Sequence, residues 1–358
     1  MADEHDPGKR PITVDDLTRF QSVGSPAFSP DGQWIAYTVS TSDYEKNSST
    51  TRIWMTPFSG GEARPMTSAS VSSRQPVFSK DGSKLYFVSA RNEQKSQLWS
   101  LDLVAGGEAR QMTELERGVG RINFSSDQEK LLLVLPDEDT SEPLVEGSKP
   151  WVVDRLTFKR DYSGYVNHLR NHIYIYDLVS KKLEQITSGD FDDSQPAWSP
   201  DDRHIAFTSN RNPEANAESD VWLVEAKPGS EPRRLTKNAA ADSSPAWHPS
   251  GQWLAYLSQV EGIEPNYAVS HLTRIGIDGS GAERMSKDLD RNVRNLEFAG
   301  DGDHVYFLIE DSGEQHAARV PWDGGEVDRL VAAKAIVRSL TVSESGQIAG
   351  VISSVEQP

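Results

Sequence analysis

The residues able to do acid–base or metal chemistry are spread thinly along this chain. Five aspartates, Asp31, Asp81, Asp127, Asp201 and Asp301, recur at one place in near-identical phrases. Two carboxylates held together could serve as general acid and base. Here each falls in its own copy of one turn, so the five read as capping groups rather than a catalytic pair. The eight histidines are scattered. His168 and His172 have the four-residue spacing of helical metal ligands, but NHLRNHIYIY runs into a strand, where that geometry is lost. His248 replaces a serine in its phrase and reads as a turn cap. No G-x-S-x-G elbow, Gly-rich phosphate loop or H-E-x-x-H is present, and the absence of cysteine excludes disulfides and thiolate metal sites. The sequence therefore offers no catalytic residue, no metal site and no cofactor.

The densest stretch of binding-type residues is KPWVVDRLTFKRDYSGYVNHLR (149–170), which follows the acidic PDEDTSEPLVEG (136–147). Arg155, Lys159 and Arg160 sit among Trp151, Phe158, Tyr162 and Tyr165. Two readings stay open. The basic groups neutralise the acidic half while the aromatics cover a sheet, or Arg155, Lys159, Arg160, Tyr162 and Tyr165 contact a substrate or a neighbouring domain.

The elements that must position these residues come from a repeat. PAFSPDGQWIAY (26–37) returns as PVFSKDGSKLYF (76–87), INFSSDQEKLLL (122–133), PAWSPDDRHIAF (196–207), PAWHPSGQWLAY (245–256), LEFAGDGDHVYF (296–307) and LTVSESGQIAGV (340–351). Its third position is Phe28, Phe78, Phe124, Trp198, Trp247, Phe298 and Val342, with gaps of 50, 46, 74, 49, 51 and 44 residues. In each copy a short apolar strand meets an S-P-D-G turn, where Pro fixes φ, Asp caps and Gly accepts φ > 0. Three further strands follow, as in SQLWSLDL (96–103) and GGEARQMT (106–113). Four antiparallel strands per 45–50 residues make one propeller blade.

The expected fold is all-β: a seven-bladed β-propeller with an incomplete last blade and a short N-terminal helix. Residues 1–25 form the N-terminal extension and helix, and 26–358 the propeller, with blades starting near 26, 76, 122, 196, 245, 296 and 340. The long gap places an insert at about 136–170 in blade three. Only two strands follow the last phrase start, which reads as a cut within a longer protein rather than a natural end. In ITVDDLTRF (12–20), Thr13 is the candidate N-cap, with Asp15 and Asp16 in the first turn. Val14, Leu17 and Phe20 share a face that covers a propeller edge or packs on another domain.

Composition narrows the function class. A net charge of −17 argues against nucleic acid, which needs Lys and Arg to neutralise phosphate. No run approaches a membrane span and MADEHDPGKRP is no secretory signal, so a cytoplasmic setting is expected.

The S-P-D-G phrases, the G-G-E-A-R-x-M-T endings, the opening helix and DRLTFKRDYSGY followed by HIYIYDL together resemble the propeller half of the prolyl oligopeptidase family of serine peptidases, in its acylaminoacyl-peptidase-like branch. Arg155, Leu156, Lys159, Asp161, Gly164 and Tyr165 follow that family's R-L-x-Y-K/R-x-D-G-x-G-Y pattern, with Tyr162 where a glycine is usual. The resemblance implies an α/β-hydrolase domain of the same protein as partner. That domain would carry the Ser-Asp-His triad absent here, and Val14, Leu17 and Phe20 would pack on it. The propeller would be the substrate-gating portion of a peptidase hydrolysing short peptides or acylated peptides, inactive by itself. Self-association into homo-oligomers stays open. The competing reading is a free-standing, Tol-like or scaffold-like interaction propeller without catalytic activity.

Overall fold

Each phrase folds first as a self-capped turn. Ser29 Oγ donates to Asp31, whose Oδ1 also accepts from the Gln33 N–H at 3.0 Å, while Ser29 Oγ accepts from the Trp34 N–H at 2.9 Å. The same triangle recurs at Ser79/Asp81, Ser125/Asp127 and Ser199/Asp201. The serine hydroxyl and the backbone N–H hold these carboxyls below their ordinary range, Asp81 to about 2. Asp301, with Ala299 in place of the serine, accepts from the Asp303 N–H at 3.1 Å. The repeated aspartates are turn caps.

The computed structural model describes residues 10, 13–91, 95–138, 153, 158–160, 164–165, 169–211, 219–238, 240–259, 267–331 and 334–354. Four sheets, at residues 21–65, 73–111, 193–234 and 242–284, are four-stranded antiparallel meanders in sequence order. The third sheet along the chain has three strands, Lys130–Pro136, Asn171–Asp177 and Leu183–Gln185, with Phe124 adding a single bridge to Leu131. Residues 137–170 lie between two neighbouring strands of that sheet; their described part includes a two-stranded ribbon, Lys159–Arg160 with Gly164–Tyr165. No helix of the described residues is long and apolar enough to cross a membrane.

The architecture is an all-β propeller, but two finer expectations are corrected. Six blade sheets are found among the described residues rather than seven. The seventh phrase forms the hairpin Ala335–Val342 and Ile348–Ser354, which joins the sixth sheet through one parallel pairing, Gln315 with Ile336. An edge strand with unpaired backbone groups takes the nearest partner. The expected N-terminal helix is a single six-residue 3-10 helix, Val14–Arg19, and no α-helix occurs among the described residues. So short a segment cannot recover the cost of nucleating an α-helix. It is tied instead by Asp16, which accepts from Thr13 N at 2.8 Å and from Arg10 Nη1 at 2.6 Å.

The core lies between the sheets. The second strands of the second, fourth and sixth sheets are buried on both faces, and Phe87, Phe207 and Phe307 occupy the same position in them, fully buried. Ile53 and Met55 of the first sheet pack on Phe78, Leu85 and Phe87 of the second. Burying such side chains stabilises by about 2 kcal/mol each. A threonine just beyond the short fourth strand completes the pairing of the third. Thr67, Thr113, Thr187 and Thr236 accept from Ile53 N, Leu98 N, Ile173 N and Val221 N at 2.9–3.0 Å. The hydroxyl thus takes the place of a carbonyl where the fourth strand ends.

His248 caps its turn as the sequence indicates. Its Nδ1 accepts from Ser250 N at 3.1 Å, leaving the Nε2 hydrogen to reach the Gly302 carbonyl at 3.2 Å in the next sheet. Gly302 has φ +72, and a Cβ there would stand 2.6 Å from His248 Nε2 and 3.1 Å from Pro249. Gly60, with φ +89, has nothing within 4 Å of its would-be Cβ. Gly60→Ala should therefore cost only backbone strain, about 1 kcal/mol, and Gly302→Ala roughly 2–4 kcal/mol, because a packed inter-sheet contact must also shift. Denaturant midpoints of the two variants check the difference.

Candidate functional site

The first strands of successive sheets converge on the propeller axis. They line a channel cavity of about 1020 Å³ with residues from 120–124, 195–198, 244–247 and 295–297. Five of the inner strands are bent, because a bulge interrupts the ladder. The bulge residues Ser25, Gln75, Gln195, Ser244 and Asn295 have φ between +47° and +56°. In four of these five a proline follows, a residue tolerated here because the inner strand is an edge.

The bulge side chains tie neighbouring sheets together at the channel wall. Gln195 Oε1 accepts from Ser244 N at 2.9 Å, and its Nε2 donates to Ser244 Oγ at 3.1 Å. Gln75 Oε1 accepts from Ile122 N at 3.0 Å. Trp247 Nε1 donates to the Ala197 carbonyl at 3.0 Å and Asn123 Nδ2 to the Pro196 carbonyl at 2.6 Å. The wall is polar, amide-rich and held by bonds between sheets.

One acid and one base line this cavity among the described residues: Glu297 and Arg121. Glu297 Oε2 accepts from the Val342 N–H at 2.9 Å. Burial nonetheless raises its carboxyl to about 7, against the opposing pull of that bond, a Thr341 hydrogen bond and Arg121. A carboxyl balanced between neutral and charged forms can accept or donate a hydrogen bond to a guest in the channel. Among the described residues the lining holds no nucleophile paired with a base.

None of the described residues singled out in the sequence as substrate or domain contacts lines this cavity. Arg155 and Tyr162 fall outside the described residues. Lys159 is exposed on the ribbon, where its backbone pairs with Tyr165 and that of Arg160 with Gly164. Val14 and Phe20 are exposed at 65% and 39%, at the two ends of the 3-10 segment that holds Leu17 at its centre. Phe20 borders a small cavity of about 240 Å³ with Val23, Val351 and Ile352, where the first strand meets the last hairpin. Glu297 gave no sequence signal, since an acid in an alternating strand reads as solvent-facing. The sequence does show tryptophan replacing phenylalanine at 198 and 247, and the indole N–H is what bridges two sheets at Trp247.

A raised carboxyl favours the fold below its unfolded pKa, and that contribution is lost as pH rises through the folded value. Glu297→Gln should match the parent near pH 4.5. It should exceed it in stability above pH 7, by on the order of 2 kcal/mol, since the amide oxygen can still accept from Val342 N. Unfolding midpoints measured from pH 4.5 to 8 check this, and a difference that does not grow with pH would contradict the burial of the carboxyl.

Comparison with known proteins places this geometry. Residues 63–275 match the family described as acylaminoacyl-peptidase, N-terminal beta-propeller domain. The uncharacterized peptidase YuxL of Bacillus subtilis (strain 168) is 31% identical over 224 residues, covering 60% of this chain and 34% of the relative. The acylaminoacyl peptidase of Pyrococcus horikoshii superposes with a TM-score of 0.72 at 17% identity, over 94% of this chain and 50% of that one. The β-propeller domain of the Trilobed protease from Pyrococcus furiosus gives 0.66 at 17% identity, over 94% and 93%. The match thus spans about a third of the first curated relative's length. With more than half of its residues matched to that family, this chain belongs to the N-terminal β-propeller domains of the acylaminoacyl-peptidases.

Proposed function

We propose that this propeller selects substrates for a serine peptidase. It would admit short peptides or acylated peptides to an α/β-hydrolase domain of the same protein and exclude folded chains. Membership of the acylaminoacyl-peptidase propeller family carries the reading. A ring wall held by hydrogen bonds between sheets supports it, because size selection needs an opening that does not stretch. The polar channel suits an extended peptide backbone, whose amides Arg121, Asn295 and Glu297 can meet. The expected setting is the cytoplasm.

The hydrolase domain would cover the apolar seam formed by Phe20, Val23 and Ile352, the last two 44% and 53% exposed. Val14 and Leu17, the apolar residues of the N-terminal segment, would pack on the same domain. Arg155, Lys159, Arg160, Tyr162 and Tyr165 would contact substrate or a neighbouring domain through their basic and aromatic groups.

The test is made on the whole gene product containing this propeller. A fluorophosphonate probe should label one serine, and the protein should cleave acetyl-amino-acid esters and short peptides but leave a folded protein intact. Val23→Asp combined with Ile352→Asp should lower activity at least tenfold without unfolding the ring. A product with no reactive serine would overturn the peptidase reading; equal cleavage of folded and short substrates would overturn the gating.

A further inference from the structure

A second cavity lies off the axis, in the crevice between the fourth and fifth sheets, with a volume of about 660 Å³. The ending of the fourth sheet supplies Arg233, Arg234 and Lys237, and the last strand of the fifth supplies Arg284. Four cations around one crevice run against the grain of a chain with net charge −17. The two carboxylates at its edge are already engaged. Asp278 accepts from Ser280 N at 2.9 Å and Ser280 Oγ at 2.8 Å, and Glu283 is ion-paired with Arg274 at 2.7 Å.

The cations differ in what they hold. Arg234 pairs with Asp220 at 2.7 Å, and Arg233 donates to the Ile277 carbonyl. Arg284 is half-buried, and its buried Nε has no hydrogen-bond partner among the described residues. The neighbouring Thr273 is 6% exposed, lines the crevice, and its Oγ1 is likewise without a partner. A desolvated guanidinium N–H and a buried hydroxyl left without partners cost several kcal/mol together unless something accepts from them. Both are donors, and Lys237 on the rim adds a third. The group that satisfies them is a compact oxyanion.

One further atom sharpens the choice. Asn238 uses its Nδ2 on Asp242 Oδ1 and Ser258 Oγ, both at 3.1 Å, which leaves its Oδ1 as a buried acceptor without a donor. An oxyanion with a proton on one oxygen fits donors and acceptor together. Hydrogen phosphate has that proton at neutral pH; sulfate and acetate do not.

We propose that the crevice between the fourth and fifth sheets is a binding site for a protonated phosphate-type oxyanion, held by Arg284, Thr273 and Lys237 and oriented by the Asn238 carbonyl. The site lies apart from the channel and does not depend on the peptidase reading.

The experiment measures the unfolding midpoint of the chain at pH 7, titrating inorganic phosphate, sulfate or acetate at constant ionic strength made up with chloride. Binding to the folded state raises the midpoint with ligand concentration. Phosphate should raise it progressively, and sulfate and acetate should act as chloride does. Arg284→Gln and Thr273→Val should each weaken the phosphate response at least tenfold, whereas Arg203→Gln, on an exposed turn, should leave it intact. Lys237→Ala, on the exposed rim, should weaken it without burdening the fold and so decides the matter if the buried variants unfold. A phosphate response equal to that of chloride, or one undiminished in Arg284→Gln or Lys237→Ala, overturns the site. Sulfate binding as well as phosphate overturns the role given to Asn238.

Discussion

The ring depends on one repeated contact, the turn of each phrase resting on the turn before it. A side chain added at Gly82 would touch Pro30, at Gly251 would touch Pro200, and at Gly302 would strike His248. Where the third phrase has no glycine, Gln128 stands in with φ +60 and reaches back to the preceding turn, accepting from Lys80 N at 2.9 Å. In the fourth, Asp202 at φ +57 accepts from Ser126 N at 2.8 Å. Gly32 of the first phrase closes the circle against Gln347 of the last. The left-handed residue that the turn requires is also the point of contact between sectors, so turn geometry and ring geometry are one constraint.

A second circle lies inside the first. Five inner strands break their ladders at a residue of positive φ, which costs about 1 kcal/mol at a residue other than glycine. The cost is offset because the bulge re-aims side chains such as Gln75 and Gln195 onto the backbone of the adjacent sheet. The same bonds make the channel wall polar and rigid. The polarity of the wall is thus a by-product of how the sheets are joined rather than an added device.

Much of this was legible in the residues. S-P-D-G predicted a capped turn, and the Ser–Asp triangles follow it at Asp31, Asp81, Asp127 and Asp201. The spacing of the phrases predicted blades of antiparallel strands. The count of sheets was not legible, because spacing counts phrases, while pairing at Ile336 decides whether a hairpin stands alone. The 3-10 form of Val14–Arg19 was hidden because three-residue spacing of apolar side chains suits either helix. Glu297 and the Arg284 crevice were invisible for a deeper reason. Each draws its character from burial and from residues of another sector, and neither is encoded in its neighbours along the chain.

The seam between the first strand and the last hairpin differs from every other joint. Among the described residues no ladder joins the first sheet to the last hairpin, although Gln21–Phe28 packs beside both of its strands. Such a joint rests on side-chain packing, and part of its apolar surface is exposed. The last hairpin is held to the sixth sheet by packing of Val337 and Leu340 with Tyr306, Leu308 and Ala317, and by little backbone pairing: Gln315 with Ile336, the Gly300 N–H to the Glu344 carbonyl at 3.1 Å, and Glu297 accepting from Val342 N. That same carboxyl is the channel's acid and is held near neutrality by burial. Ionisation strengthens a carboxylate as an acceptor for Val342 N yet charges a buried site, so two opposing terms act on one atom. The polarity of the channel and the closure of the ring are therefore coupled through Glu297, at the place where the ring has least backbone pairing to spare.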